Sequence, residues 1–292
     1  MNVLTFDIEE WAWAKAEGIG TAERYKEYDA CLDRVLDVLD ERAIKATFFC
    51  TGLMAVDFPQ VVKLIQHRGH EIGCHSYRHT WMNKMTEAEA REDTYSAVDA
   101  IEQCIGQKVL SYRAPAFSIC ENNKWMFEIL AGHGIERDSS IFHASRDVGG
   151  FKNFGCDTPC LVEYKGLLMK EFPVSSARLF GKEIAYSGGG YFRICPLSFV
   201  LKQMEKSSYA LTYFHIADLI LQKMDFMSKK DYEAYFKESG SLMNRSLRYL
   251  KNNFGKKSAY NKWNELVKTQ DFVDLDRTDK MWDWQQIKTI AL

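Results

Sequence analysis

The chain has 292 residues, 46% hydrophobic, 13% aromatic and 27% charged, with a formal net charge of −2. That length suits one large α/β domain or two ordinary ones, with a ring-rich core. A near-neutral balance supplies no field to gather nucleic acid or anionic lipid, and no apolar window is long enough for stable membrane insertion. Met1–Asp7 has neither the basic start, the apolar stretch nor the cleavage site of an export signal, so a cytoplasmic location is expected. The eight cysteines follow no disulfide-module rhythm and read as reduced thiols; Cys156 and Cys160 have no second pair at zinc-ligand spacing.

In chain order, Asn2–Asp7 reads as a buried strand. Ala30–Arg42 reads as a helix, with Leu32, Val35, Leu36 and Leu39 on one face. A strand at Ala46–Cys50, a helix at Pro59–His67 and a strand at His70–Cys74 follow. Thr86 with Glu89 forms a capping-box signature for a helix running to Ile105. Val109–Arg113 (strand), Asn123–Gly132 (helix) and Ile135–Asp138 (strand) continue the alternation, which implies a parallel sheet or barrel. Residues 143–193 loosen into short strands and glycine-rich turns, predicting an insertion over the active face. A helix at Leu197–Lys206 and a strand at Tyr209–His215 resume the pattern, and 229–292 reads as a helical C-terminal extension.

Chemistry concentrates where these strands end. The first exits into Asp7-Ile8-Glu9-Glu10-Trp11, the third into His75-Ser76-Tyr77-Arg78-His79, the fourth into Arg113-Ala114-Pro115, the fifth into Asp138 and the last into His215. In a parallel barrel such exits converge on one rim. His75 and His79 are spaced to share a metal, and a third ligand from another strand leaves a position open for water. Asp7 and Glu9 lie on one strand face, so one can bind the metal while the other handles protons. Arg113 can hold Asp7 ionised as a bidentate pair, and His215 titrates in the range of a general acid.

The same segments resemble the polysaccharide deacetylase family (NodB-like, of carbohydrate esterase family 4 type). Thr5-Phe6-Asp7 is similar to its first motif, Gly69–His79 to its His-Ser/Thr-x-x-His metal motif, Tyr112–Phe117 to its arginine motif, Arg137–Ser140 to its fourth motif and Tyr213-Phe214-His215 to its last. Glu171–Val174 and Ser187–Arg193 resemble a subgroup associated with exopolysaccharide and surface-glycan biosynthesis. The resemblance implies an α/β fold, a distorted (β/α) barrel with fewer than eight regular units. It implies Asp7 as catalytic base, Glu9, His75 and His79 around a divalent metal, most often zinc, Arg113 orienting Asp7, His215 as acid and Asp138 tethering His215. The family's first motif is commonly Asp-Asp; here Ile8 takes the second position, leaving Glu9 and Glu10 as candidates, of which strand parity favours Glu9.

The implied reaction is hydrolysis of an N-acetyl group on a sugar or glycan precursor, with a backbone N–H near Ala116 at the oxyanion. Trp11, Pro115, Ala116, Phe117 and Tyr191 are candidates to line the sugar, as is Trp81, and Gly188–Gly190 to bring backbone close to it. Hydrolysis of another C–N bond, in a formamido sugar or cyclic ureide, and glycan binding without catalysis are the competing readings.

Overall fold

Asn2–Ile8 (β1) is buried at every position but the first, which is what a strand covered by helices on both faces requires. The computed structural model describes residues 1–18, 20–143, 149–179, 181–221, 225–236 and 238–292. After β1 come α1 (Glu10–Ala16), α2 (Ala22–Glu41), β2 (Thr47–Cys50), α3 (Gly52–Asp57), α4 (Pro59–His67), β3 (Glu71–Cys74), α5 (Glu87–Ile105), β4 (Ser111–Tyr112), α6 (Met126–Gly132) and β5 (Arg137–Asp138). Local signals set the boundaries. Thr21 caps α2 through the Arg24 N–H; Thr86 and Glu89 cap α5 reciprocally, and Gly106 closes it at φ 68°. Helix α2 starts at Ala22 rather than Ala30, because its first turns bury only Tyr28 and leave no apolar stripe to read.

The second half contributes β6 (Cys160–Tyr164), β7 (Leu167–Glu171), β8 (Ala177–Leu179), β9 (Lys182–Ile184), α7 (Gly189–Ile194), α8 (Leu197–Glu205), β10 (Ala210–His215), α9 (Ile216–Leu219), α10 (Lys229–Phe236), α11 (Leu242–Asn253), α12 (Lys256–Thr269), β11 (Phe272–Val273), α13 (Leu275–Met281) and β12 (Thr289–Ala291). The main sheet has the order β10-β1-β2-β3-β4-β5-β7-β6-β12. Pairing is parallel from β10 through β7, antiparallel between β7 and β6, and parallel again at β12. This is the distorted (β/α) barrel, with fewer than eight regular units.

Two expectations about organisation change. Residues 143–193 do not simply overlie one face. Strands β6 and β7 extend the sheet past β5, only β8 and β9 form a separate hairpin, and Gly188 bridges back to Tyr213 on β10. (Residues 144–148 and Phe180 of this stretch lie outside the described residues.) The C-terminal segment is helical as expected, yet it is not peripheral. Strand β11 pairs with Asn2 and Val3 on β1, and α12 inserts a fully buried Trp263 into the core, 6.1 Å from the ring of Phe6, which itself stacks on Phe48 at 4.8 Å. Trp263→Ala is therefore expected to cost about 3–5 kcal/mol of stability, measured as a lowered urea midpoint with an unchanged slope. A loss below ~1 kcal/mol would show α12 to be dispensable to the core.

Candidate active site

Asp7 pairs in register with His215 across β1 and β10. Thr5 lies two residues back on the same strand face. Arg113, fully buried at the exit of β4, uses Nη1 on both: 2.8 Å to Thr5 Oγ1 and 2.8 Å to Asp7 Oδ1. Its other edge is taken by Ser139, through Nε to the carbonyl (3.2 Å) and Nη2 to Oγ (2.9 Å). The expected bidentate pair is thus a single bond, because Ser139 occupies the second edge of the fork. The guanidinium also lies 4.2 Å over the Phe49 ring. Burial pushes the Asp7 carboxyl up, but Arg113 and then His75 and His215 outweigh it and hold it below its ordinary value. With Oδ1 held, Oδ2 lies 4.0 Å from His75 Nε2 and 3.9 Å from His215 Nε2.

Glu9, His75 and His79 each offer one ligand atom, and these atoms lie within 4.8 Å of one another. Strand β1 ends at Ile8, so Glu9 stands at the N-cap of α1 and turns its carboxylate to the histidines. Oε2 is 2.6 Å from His79 Nε2 and 3.9 Å from His75 Nε2. These separations bracket the ~3.4 Å edge of a tetrahedral site with bonds near 2.1 Å. Glu9 Oε2 is buried with only the two imidazole nitrogens close to it, an oxygen that suits a cation. Burial raises the Glu9 carboxyl, and His79, His215 and His75 reverse this to about 2.

The loop between β3 and α5 is shaped for this task. His75 Nδ1 lies 2.8 Å from the Arg113 carbonyl; a carbonyl only accepts, so Nδ1 carries the proton and the Nε2 lone pair faces Glu9. Burial lowers the His75 imidazole to about 4, keeping it neutral. Ser76 and His79 both sit at positive φ, 63° and 60°, and Ser76 Oγ accepts the His79 N–H at 2.9 Å. Non-glycine residues in the left-handed region carry strain of the kind found at functional sites. Spacing of four therefore works here through a tight loop, not a helix. Glu10 points the other way: its Oε1 accepts the Ala217 N–H at 2.8 Å, and burial raises its carboxyl to about 7.

His215 ends β10, and its Nδ1 lies 3.0 Å from Asp218 Oδ2, while Nε2 lies 3.7 Å from Glu9 Oε1. Asp218 Oδ1 accepts from Arg193 Nη1 at 2.6 Å, and Arg193 Nη2 donates to the Lys251 carbonyl at 2.6 Å. Burial alone lowers the imidazole; the hydrogen bond and charge of Asp218, then Glu9 and Asp7, lift it to about 10. Asp218 and Arg193 are functional candidates that the sequence reading missed, although His-x-x-Asp at a strand exit carries the spacing of a capping box.

Asp138 does not tether His215. It leaves β5 and pairs in register with Glu171 on β7, while Nδ1 of His215 is taken by Asp218. Asp138 Oδ1 accepts from Ser140 Oγ at 2.5 Å. Burial raises both carboxyls; the charge of Asp138 and its hydrogen bond raise Glu171 further, while the bonds from Glu171 and Ser140 draw Asp138 back down.

The proposed sugar-lining residues divide. Trp11 is buried, its Nε1 bonded to Asp29 at 2.9 Å and its ring on Tyr28, so it packs α1 against α2 and is closed to a ligand. Pro115 and Phe117 are also buried, Phe117 edge-on to Tyr213 at 4.9 Å. Ala116, at φ 55°, stays partly open and Tyr191 is 36% exposed, as Trp81 is in part. Gly188 serves the barrel, since a Cβ there would lie 2.0 Å from the Tyr213 carbonyl oxygen.

A family model described as polysaccharide deacetylase matches residues 3–136. That segment, just under half of the chain, is similar to a polysaccharide deacetylase domain. A second model, described as a domain of unknown function (DUF3473), matches residues 139–279. The first matched segment supplies Asp7, Glu9, His75, His79 and Arg113, while the second supplies Arg193, His215 and Asp218, so the site is assembled from both. The chain is 31% identical over 157 residues to the peptidoglycan-N-acetylglucosamine deacetylase of Bacillus cereus, covering 52% of this chain and 54% of that one. It is 26% identical over 117 residues to the chitooligosaccharide deacetylase of Bradyrhizobium sp., covering 38% and 51%. The chain thus spans about half the length of these curated relatives. The crystal structure of a putative polysaccharide deacetylase from Mycobacterium smegmatis shares the fold, with a TM-score of 0.65 at 18% identity over 100% of this chain and 92% of that one.

Proposed function

We propose that the chain is a metal-dependent hydrolase that removes N-acetyl groups from a sugar or glycan precursor in exopolysaccharide or surface-glycan biosynthesis. One observation carries the reading: Asp7 Oδ2 and His215 Nε2, 3.9 Å apart, flank the Glu9, His75 and His79 ligand atoms. A divalent cation, zinc by the donor set of two imidazoles and one carboxylate, would be held by those three and supplies Lewis acidity and a water of lowered pKa. Asp7 Oδ2 takes the proton of the attacking water, since Arg113 keeps the carboxylate ionised at Oδ1. His215 carries a proton on Nε2 and delivers it to the departing amine as the C–N bond breaks. Asp218 holds Nδ1–H and so fixes which nitrogen faces the substrate, and Arg193 keeps Asp218 charged. Acetate release from a panel of soluble N-acetylated sugars tests the proposal. Ring opening of a cyclic ureide, or formate release from a formamido sugar, without any acetate release would replace it with the competing C–N hydrolase.

The tether makes a separate prediction. Asp218→Asn is expected to lower kcat about 10- to 100-fold. It also has a pH signature. His215 acts in its protonated form, and Asp218 raises its pKa; losing the carboxylate moves the alkaline fall in kcat/KM to lower pH. Asp138→Asn leaves that limb in place. A pH profile of Asp218→Asn superimposable on the wild type would refute the assignment.

A further inference from the structure

Helix α11 is inside out. None of its residues is buried, and several apolar ones are well exposed: Leu242 at 67%, Met243 at 69%, Leu247 at 53% and Leu250 at 58%, with Phe254 just beyond its end at 61%. Positions 243, 247, 250 and 254 fall on one helical face. The polar face turns to the protein instead. Arg245 donates to the carbonyls of Gly240 (3.1 Å) and Met227 (3.2 Å), and Tyr249 packs on Phe226. A helix that spends its polar face inward and its apolar face outward lacks a partner.

The charge around this face identifies one. Residues 239–264 hold six basic side chains and no aspartate or glutamate. Lys256 is buried, Arg248 pairs with Glu238, and Arg245 and Lys262 bond backbone carbonyls. That leaves Lys251, on α11, and Lys257, in the first turn of α12, as the exposed charges. Two copies meeting through this face would bring like charges together, whereas an anionic surface matches it. An exposed stripe of Leu, Met and Phe with flanking lysines is the pattern of a helix lying in a membrane interface. The stripe also adjoins the catalytic rim, because the Lys251 carbonyl accepts from Arg193, which bonds Asp218, which bonds His215.

We propose that Met243, Leu247, Leu250 and Phe254 seat at the headgroup–acyl boundary of an anionic bilayer, holding the active site beside glycans carried on that surface. The docking stands on α11 alone, and only the nature of the cargo rests on the deacetylase reading. The test is flotation of the full chain with vesicles of phosphatidylcholine, alone and mixed with phosphatidylglycerol. The wild type floats with the mixed vesicles and less so as salt rises. The Leu247→Glu, Leu250→Glu double variant loses about tenfold or more of the bound fraction, with its circular dichroism and its acetate release from a soluble acetylated chitooligosaccharide unchanged. Three results overturn the proposal: no flotation of the wild type, flotation that the variant retains, or a concentration-dependent dimer that the variant dissolves. Flotation without acetate release in either protein supports the docking surface and removes the deacetylase reading.

Discussion

Asp7→Asn is expected to reduce kcat by about 10²- to 10⁴-fold while the protein stays folded and still takes up a divalent cation. The substitution is nearly isosteric, and its amide oxygen can keep the bond that Asp7 Oδ1 accepts from Arg113 Nη1 at 2.8 Å. Arg113 also retains Thr5 and Ser139, so the buried guanidinium is not stripped of partners. What disappears is the only role an amide cannot fill, that of accepting a proton at the position of Oδ2. Because Asp7 is not one of the three residues whose ligand atoms converge, cation affinity should change far less than turnover. Acetate-release kinetics beside calorimetric titration of zinc separate the two quantities. Wild-type kcat in the variant would remove Asp7 as the base; loss of cation binding with loss of turnover would move it into the ligand set.

The parts of this architecture that could be read from sequence are those with a local cause. The capping box of α5 and the proline start of α4 fix their helices within a turn. The expected strands Val109–Arg113 and Ile135–Asp138 shrink to two paired residues each, since Val109 and Ile135 are buried without joining a ladder. An apolar run reports burial before it reports pairing. At the site, the gathering of Glu9 with His75 and His79 was legible because two short segments hold all three. Resemblance assigns His215 to Asp138, whose carboxylate is engaged by Ser140 and Glu171, while Asp218, three residues beyond His215, holds the imidazole. Arg193 could not be read at all, since its partners lie 25 and 58 residues further on. Trp11 failed for a different reason: it follows the carboxylates in sequence, but the first turn of α1 rotates it toward α2.

Removal of the cation should end turnover, and the two adjacent glutamates should separate cleanly. Chelation is expected to lower acetate release by at least about 10³-fold, restored by zinc, because it withdraws both the Lewis acid and the water of lowered pKa. Glu9→Gln is expected to weaken zinc binding by at least about 100-fold, a first ligand mattering no less than the partners that orient one. Glu10→Gln should leave affinity within a few fold, since Glu10 Oε1 is committed to the Ala217 N–H and its carboxyl, at about 7, is readily neutral. The buried Oε2 of Glu9, turned to the His79 and His75 nitrogens and away from water, gives the contrast its physical basis, as that oxygen gains from a positive neighbour. Zinc stoichiometry and competition titration of the two variants decide it. Equal loss in both would mean that the carboxylates exchange places when the cation binds, and turnover untouched by chelation would mean that Asp7 and His215 act on the amide unaided.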